Sequence, residues 1–330
     1  MLVEGNRVDA NMKRSASLAA REQTGPTVVA ESADSKRQSR VGDDLACWCA
    51  SGRWTVNVKG KRFQVLKCSG CGGYRIDPPP IQSPQESEDF YSRYYQTVGT
   101  GAVAIKTPAL SRGAGYWRVA ERFAPLLQVK RRALDIGCGD GHSCAELKAH
   151  GWPSVMGIDV SRTRVERARK LYPDLTFFSD PLAATGLEKR SLDLVVMEAV
   201  IEHVPQPVEM LREVREFLAP GGSIVLTTPN MDSGEFRFLK KRWTGMLSPH
   251  AHIFLFTHAS IRRLLLSAGL IPESVGNYPT PLYTPLEYLK RAARGDLKGT
   301  LWRAHQDMGA IYGRVIRSSS MLFAVGREPE

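Results

Sequence analysis

No stretch of this chain comes near the roughly 20 consecutive apolar residues that a membrane-crossing helix needs, so no transmembrane segment is expected. The N-terminus carries acids and has no apolar core, which predicts no secretory leader. Large apolar residues are sparse over positions 1–44, where Ser, Ala, Arg, Glu and Asp follow no period; that segment reads as a disordered tail. Acids are missing altogether from positions 45–76, which hold six Lys and Arg, whereas seven basic and seven acidic residues cancel in 1–44. The net charge of +11 is therefore unevenly spread. It admits an anionic partner (nucleic acid, a phosphorylated sugar or a membrane surface) as readily as it admits plain solubility. Cysteine is scarce, six in 330 residues, and four of the six are gathered in two short pairs. A length of 330 residues suggests one core domain with an appendage.

What is present centres on Asp135-Ile136-Gly137-Cys138-Gly139-Asp140-Gly141. Ala133 to Ile136 read as a short buried strand, three glycines follow at alternating positions, and a helical pattern with Cys144, Leu147 and Lys148 stops at Gly151. Strand, glycine turn and helix bring backbone close to a ligand. A second apolar strand, Ser154 to Ile158, ends in Asp159, placed to accept hydrogen bonds from ribose hydroxyls. Nicotinamide-binding turns run G-x-G-x-x-G and seat a pyrophosphate on the helix N-terminus. Here the spacing is G-x-G-x-G with a carboxylate in front, which repels a pyrophosphate and suits a cationic ligand such as S-adenosylmethionine.

These residues resemble motif I of the class I S-adenosylmethionine-dependent methyltransferases. Gly157-Ile158-Asp159-Val160-Ser161 resembles the family's ribose-binding acidic loop, and Ser191 to Val196 its fourth strand. Glu202-His203-Val204 with Pro207 resembles the turn after that strand, and Leu218-Ala219-Pro220-Gly221-Gly222 with Ile224 to Thr227 the turn and fifth strand. The resemblance covers roughly 112–330 and implies a doubly wound, seven-stranded Rossmann-like α/β sheet. It implies S-adenosylmethionine bound by Asp135, Gly137, Gly139, Gly141 and Asp159, with Asp180 near the adenine and Glu198 near the methionine end. In order, a helix is expected over 115–127, a third strand over 175–178, Thr257 as N-cap of a helix over 259–268, a sixth strand around Ser274-Val275, and an antiparallel last strand over 321–325. Residues 278–317, basic and with apolar faces, are expected to form two helices capping the site, with simple packing or peripheral membrane contact as alternatives.

Cys47-Trp48-Cys49 and Cys68-Ser69-Gly70-Cys71, 18 residues apart, have the layout of a four-thiolate zinc site around two strands, 53–59 and 62–67. The module spans 45–78; a Pro-rich linker with the aromatic run from Phe90 to Tyr95 fills 79–111. Ribbon and linker resemble the N-terminal region of many bacterial methyltransferases of glycan and natural-product pathways. That resemblance implies a small-molecule, sugar or glycan acceptor. The free cysteines inside motif I and a cofactor found inside cells make the cytoplasm the expected location.

An alcohol acceptor needs a base. His203, His250 and His252 are the candidates, since an ordinary imidazole has a pKa of about 6.5; His203 and His252 are chosen, and His258 is expected to face solvent. Quinone-type O-methyltransferases resemble this region, but their magnesium-binding E-x-x-E-H has Ala199 at its first acid here. An RNA methyltransferase is a second reading: Arg53, Lys59, Lys61, Arg62 and Lys67 would contact phosphate, and Trp54 and Phe63 would stack on bases. The Asn/Asp-Pro-Pro-Tyr type motif of base N-methylases is absent from the Thr228-Pro229-Asn230 turn. A non-catalytic cofactor-binding or assembly protein is the third.

Overall fold

The computed structural model describes residues 47–49, 53–59, 63–79, 86, 89–90, 131–239, 243, 252–278 and 285–330. The expected tail over 1–44, the helix over 115–127, most of the linker and His250 lie outside them.

Alternation of apolar residues builds the central sheet. In β4 (Arg132–Ile136) and β7 (Leu192–Glu198), Leu134, Ile136, Val195 and Met197 enter one apolar cluster. Ala133, Leu194 and Val196 enter another on the opposite face. A period of two thus buries both faces of one sheet. Around these strands lie α1 (His142–Ala149), β5 (Ser154–Ile158), α2 (Arg162–Leu171), β6 (Thr176–Phe178), α3 (Pro207–Phe217) and β8 (Leu218–Pro229). Helix α3 starts with Pro207 at its first position, which suits a helix whose first N–H groups have no partner, and buries Val208, Leu211 and Val214 at a spacing of three.

After β8 come α4 (Gly234–Leu239), β9 (Phe254–Leu255), α5 (His258–Ser267), β10 (Ile271–Tyr278), α6 (Pro285–Ala293), α7 (Leu297–Val315) and β11 (Met321–Arg327). The seven-stranded sheet runs β6-β5-β4-β7-β8-β11-β10, with β4 to β8 parallel and β11 antiparallel to both neighbours. This is the doubly wound α/β sheet the motifs imply. Thr257 caps α5 with a reciprocal box: its hydroxyl accepts from Ser260 N, and Ser260 Oγ accepts from Thr257 N at 2.8 Å.

The N-terminal part contains one strand more than the sequence suggests. Strands β1 (Trp54–Lys59), β2 (Gln64–Cys68) and β3 (Tyr74–Asp77) form an antiparallel ribbon, and β9 adds to its edge. Tyr74 pairs with Leu255 and Arg75 with Phe254. Val65, Tyr74, Leu239, Trp243 and Leu255 share an apolar cluster, so the ribbon packs against segments that follow β8. The two helices expected in 278–317 are present as α6 and α7; β10 runs on through Tyr278.

Candidate active site

The strand tips carry the chemistry. The glycine turn leaves β4 with Gly137, Gly139 and Gly141 at φ of 80°, 55° and 82°. A Cβ on Gly137 would sit 2.4 Å from Val200, and one on Gly141 2.7 Å from Phe177, so both backbone conformation and space demand glycine. Gly137 N and Cys138 N donate to Ile158 O, tying the turn to the end of β5. Asp159, just beyond β5, is buried; its carboxylate accepts from Gly139 N and Ser161 N, each at 2.8 Å. Arg164, which the motif reading missed, reaches over Gly139 and pairs with Asp140 at 3.2 Å.

Four carboxyls follow one another along this edge. Asp135 is buried, and burial first, then the charges of Glu198 and Asp159, push its carboxyl well above the usual range. Burial likewise raises Asp159, against the pull of its backbone donors. Glu198, at the end of β7, is pushed up to about 7 by burial and then by Glu202. Glu202 is raised by burial and drawn back by His252 and by the Thr228 hydroxyl, which donates to it at 2.9 Å. Buried acids that repel one another are stabilised by a cation. The set therefore fits a ligand carrying sulfonium and ammonium charge. Asp180 stands exposed two residues beyond β6, on the same sheet edge.

The acid row ends at two imidazoles. His203 closes a short 3-10 helix, Ile201–His203, and His252 arrives from beyond β8. Their ring centroids are 4.7 Å apart, and His203 Nε2 lies 3.9 Å from Glu202 Oε1. Ligand atoms of Glu202, His203 and His252 all fall within 4.8 Å of one another, a set able to hold a proton or a cation. The third group beside Glu202 and His203 is thus a histidine, where the quinone-type motif has an acid at position 199. Ala199 instead adopts φ 50°, a left-handed conformation unusual for alanine, between Glu198 and the 3-10 helix. Nothing in its sequence context signals this.

One residue connects this cluster to the ribbon. Ile253 N donates to Glu202 O at 2.8 Å, and Ile253 O accepts from Ile76 N of β3 at 2.9 Å. Trp48, between Cys47 and Cys49, stacks edge-on against Phe254 at 5.0 Å. The four ribbon cysteines are buried, with Cys47 and Cys71 sulfurs 3.5 Å apart and Cys49 and Cys68 sulfurs 3.5 Å apart. That is far beyond a disulfide bond of about 2.05 Å. Gly70 N and Gly73 N point at the sulfurs of Cys68 and Cys71, as in a metal knuckle.

His258 departs from expectation. It is half-buried and its Nδ1 pairs with Asp232 at 3.1 Å, because Asp232, in the turn after β8, reaches the start of α5. Asn230, which the sequence placed with Pro229 at the end of the fifth strand, is fully buried; its amide donates to Asn277 Oδ1 at 3.0 Å and to Ser319 O at 2.9 Å.

Glycine turn, acid row and strand order together define the cofactor cleft of an α/β methyltransferase. Residues 112–275 match the family described as a methyltransferase domain, and over this region the chain is a class I S-adenosylmethionine-dependent methyltransferase domain. It is 36% identical over 107 residues to a trans-aconitate 2-methyltransferase of Methylobacterium radiotolerans, covering 32% of this chain and 40% of that protein. It is 35% identical over 115 residues to a protein of Mycolicibacterium smegmatis named a probable S-adenosylmethionine-dependent methyltransferase, covering 35% and 42%. It is 34% identical over 160 residues to a tRNA U34 carboxymethyltransferase of Alcanivorax borkumensis, covering 46% and 49%. The chain thus spans less than half the length of these relatives.

Proposed function

We propose that the chain is a cytoplasmic S-adenosylmethionine-dependent methyltransferase that methylates a hydroxyl of a small acceptor, a sugar, glycan or secondary metabolite. The observation that carries this reading is the row Asp159, Asp135, Glu198, Glu202, ending in the half-buried His203 and the buried His252. When bound, S-adenosylmethionine supplies an electrophilic methyl on a positively charged sulfur. Asp135, Asp159 and Glu198 offset that positive charge and orient the donor, with Asp180 towards the adenine. The acceptor's hydroxyl proton passes to an imidazole of the His203–His252 pair, and Glu202 stabilises the imidazolium that results. With the donor held by Asp135, Asp159 and Glu198, the O–methyl bond would form as the methyl–sulfur bond breaks, and a neutral thioether would be left.

The four ribbon thiolates are read as a structural zinc site. Tetrahedral zinc–sulfur bonds of about 2.3 Å place sulfurs about 3.7 Å apart, near the spacing observed. The basic residues of 45–76 offset the residual negative charge of such a centre.

The relatives' names span a small acid and a tRNA, so an RNA acceptor is the competing reading. Against it, Trp54 packs on the cysteine cluster and Phe63 on the cluster of Val65 and Tyr74, so both rings are used within the fold. The test is calorimetric titration with S-adenosylmethionine, followed by transfer of labelled methyl to nucleotide sugars, glycosides and bulk tRNA. Asp159→Ala removes an acceptor shared by two backbone donors and is expected to weaken donor binding on the order of 100-fold. Undiminished affinity in that variant overturns the donor site. Transfer to tRNA with none to small acceptors overturns the acceptor class.

A further inference from the structure

An ordinary surface helix turns its apolar stripe inward and its polar face to water. Helix α7 does the reverse. Its inward face is small and polar: Gln306, Asp307, Gly309, Ala310 and Gly313 are buried. The glycines let it lie close to α4, where a Cβ on Gly234 would meet the Gly313 backbone at 2.7 Å and one on Gly309 would meet Leu239 at 2.8 Å. Its outward face carries Leu297, Leu301, Met308, Ile311, Tyr312 and Val315, with exposures from 41% for Tyr312 to 76% for Val315. At about 100° per residue these six fall within roughly one 100° arc, opposite the buried face.

The neighbouring helices expose apolar residues as well. Helix α6 exposes Leu286 and Leu289, at 57% and 67%. Phe238 of α4, 44% exposed, lies 5.8 Å from the Tyr312 ring. The two helices are tied together, since the Tyr288 hydroxyl donates to Asp307, which also pairs with Arg303 at 2.8 Å. The outward leucines therefore belong to a braced hairpin. Contiguous apolar surface of this kind marks an interaction face.

Charge selects the occupant. Residues 285–317 contain seven Lys and Arg against three Asp and Glu. Two of the acids are engaged within the fold: Asp307 as above, and Asp296, which accepts from Gly299 N at the start of α7. Lys290, Arg294 and Lys298, on or next to the two helices, and Arg317, just past α7, are exposed. Two copies of this face would bring net positive charge against net positive charge, whereas an anionic lipid surface complements it. Apolar outward residues rimmed by Lys and Arg are what an interfacial helix needs: the side chains enter the boundary between headgroups and acyl chains while the cations meet phosphate.

We propose that the α6–α7 hairpin is a peripheral docking face for an anionic lipid bilayer. The proposal stands independently of the methyl-transfer reading. The test is co-sedimentation of the full chain with phosphatidylcholine vesicles, with and without phosphatidylglycerol. The wild type is expected to pellet with the anionic vesicles, to stay in solution with neutral ones, and to be released by salt. Leu301→Glu with Val315→Glu is expected to weaken binding on the order of 10-fold or more. Lys290→Glu with Arg294→Glu and Lys298→Glu is expected to abolish the preference for phosphatidylglycerol, both variants keeping the wild-type melting temperature. Three results overturn the proposal: no pelleting of the wild type with anionic vesicles, undiminished pelleting of both variants, or a wild-type dimer that Leu301→Glu with Val315→Glu converts to monomer.

Discussion

The proposed donor side of the site is written within one continuous stretch, residues 135–198, where Asp135, Asp159 and Glu198 each stand at the end of a parallel strand. The proposed acceptor side also draws on the distant ribbon, through Ile76 and Ile253. His252 is set beside His203 by Ile253, whose peptide bonds Glu202 on one side and Ile76 of the ribbon on the other. Parallel pairing of β4 with β5 and β7 assembles the first; backbone contacts of Ile253 with Glu202 and with the ribbon assemble the second. Under the proposed function, the difference assigns donor binding and methyl transfer to separable parts of the chain.

The sharpest break in that comparison comes from the imidazoles. His203→Ala and His252→Ala are expected to lower turnover by about 100- to 10,000-fold while leaving donor affinity unchanged, read by single-turnover transfer beside calorimetry. If donor affinity falls equally, the two sides are not separable.

Zinc comes next. Cys68→Ser is expected to empty the four-thiolate site and to destabilise the ribbon on the order of 3 kcal/mol or more. Its reach is measured by amide exchange: Ile76 and residues 252–256 should exchange faster, and the glycine turn at 137–141 should not. Unchanged protection of 252–256 in metal-free protein would uncouple ribbon and acceptor side.

A third, comparable effect belongs to the donor side. Glu198 rises from 4.5 to about 7 on folding. Between those values the native state holds a proton that the unfolded chain has released. Stability of the donor-free protein therefore falls as pH rises through this window, on the order of 3 kcal/mol in all. Donor affinity moves the other way, strengthening towards and above pH 7 as the carboxylate ionises. Glu198→Gln should flatten both profiles, as followed by denaturant titration and calorimetry at pH 6 and 8.

The smallest effect concerns the joint between the two sides. Ala199→Gly relieves the left-handed alanine and is expected to raise stability by about 0.5–1 kcal/mol, visible as a higher melting temperature.

Legibility in the sequence follows the same division. The turn at 137–141, β5 and its terminal Asp159, and the Thr257 cap were readable because each rests on neighbours a few residues away. Strand β9 was not, since two residues carry no period; Phe254-Leu255 is a strand only because Tyr74 and Arg75 pair with it. His258 was misjudged as solvent-facing for a similar reason: its partner Asp232 lies 26 residues earlier. The outward stripe of α7 was legible as an apolar face but not by direction, because only packing against α4 shows which side is buried.

By itself the sequence determined the parts of the proposed donor cleft: glycines at positive φ and acids at strand ends follow from steric and charge rules that act over a few residues, and pairing of β4 with β7 then sets Asp135 beside Glu198. Tertiary structure alone decided what stands opposite the donor. It set His252 beside His203, joined both to the cysteine ribbon and turned the apolar face of α7 outward, because these contacts unite segments whose separation along the chain carries no local signal.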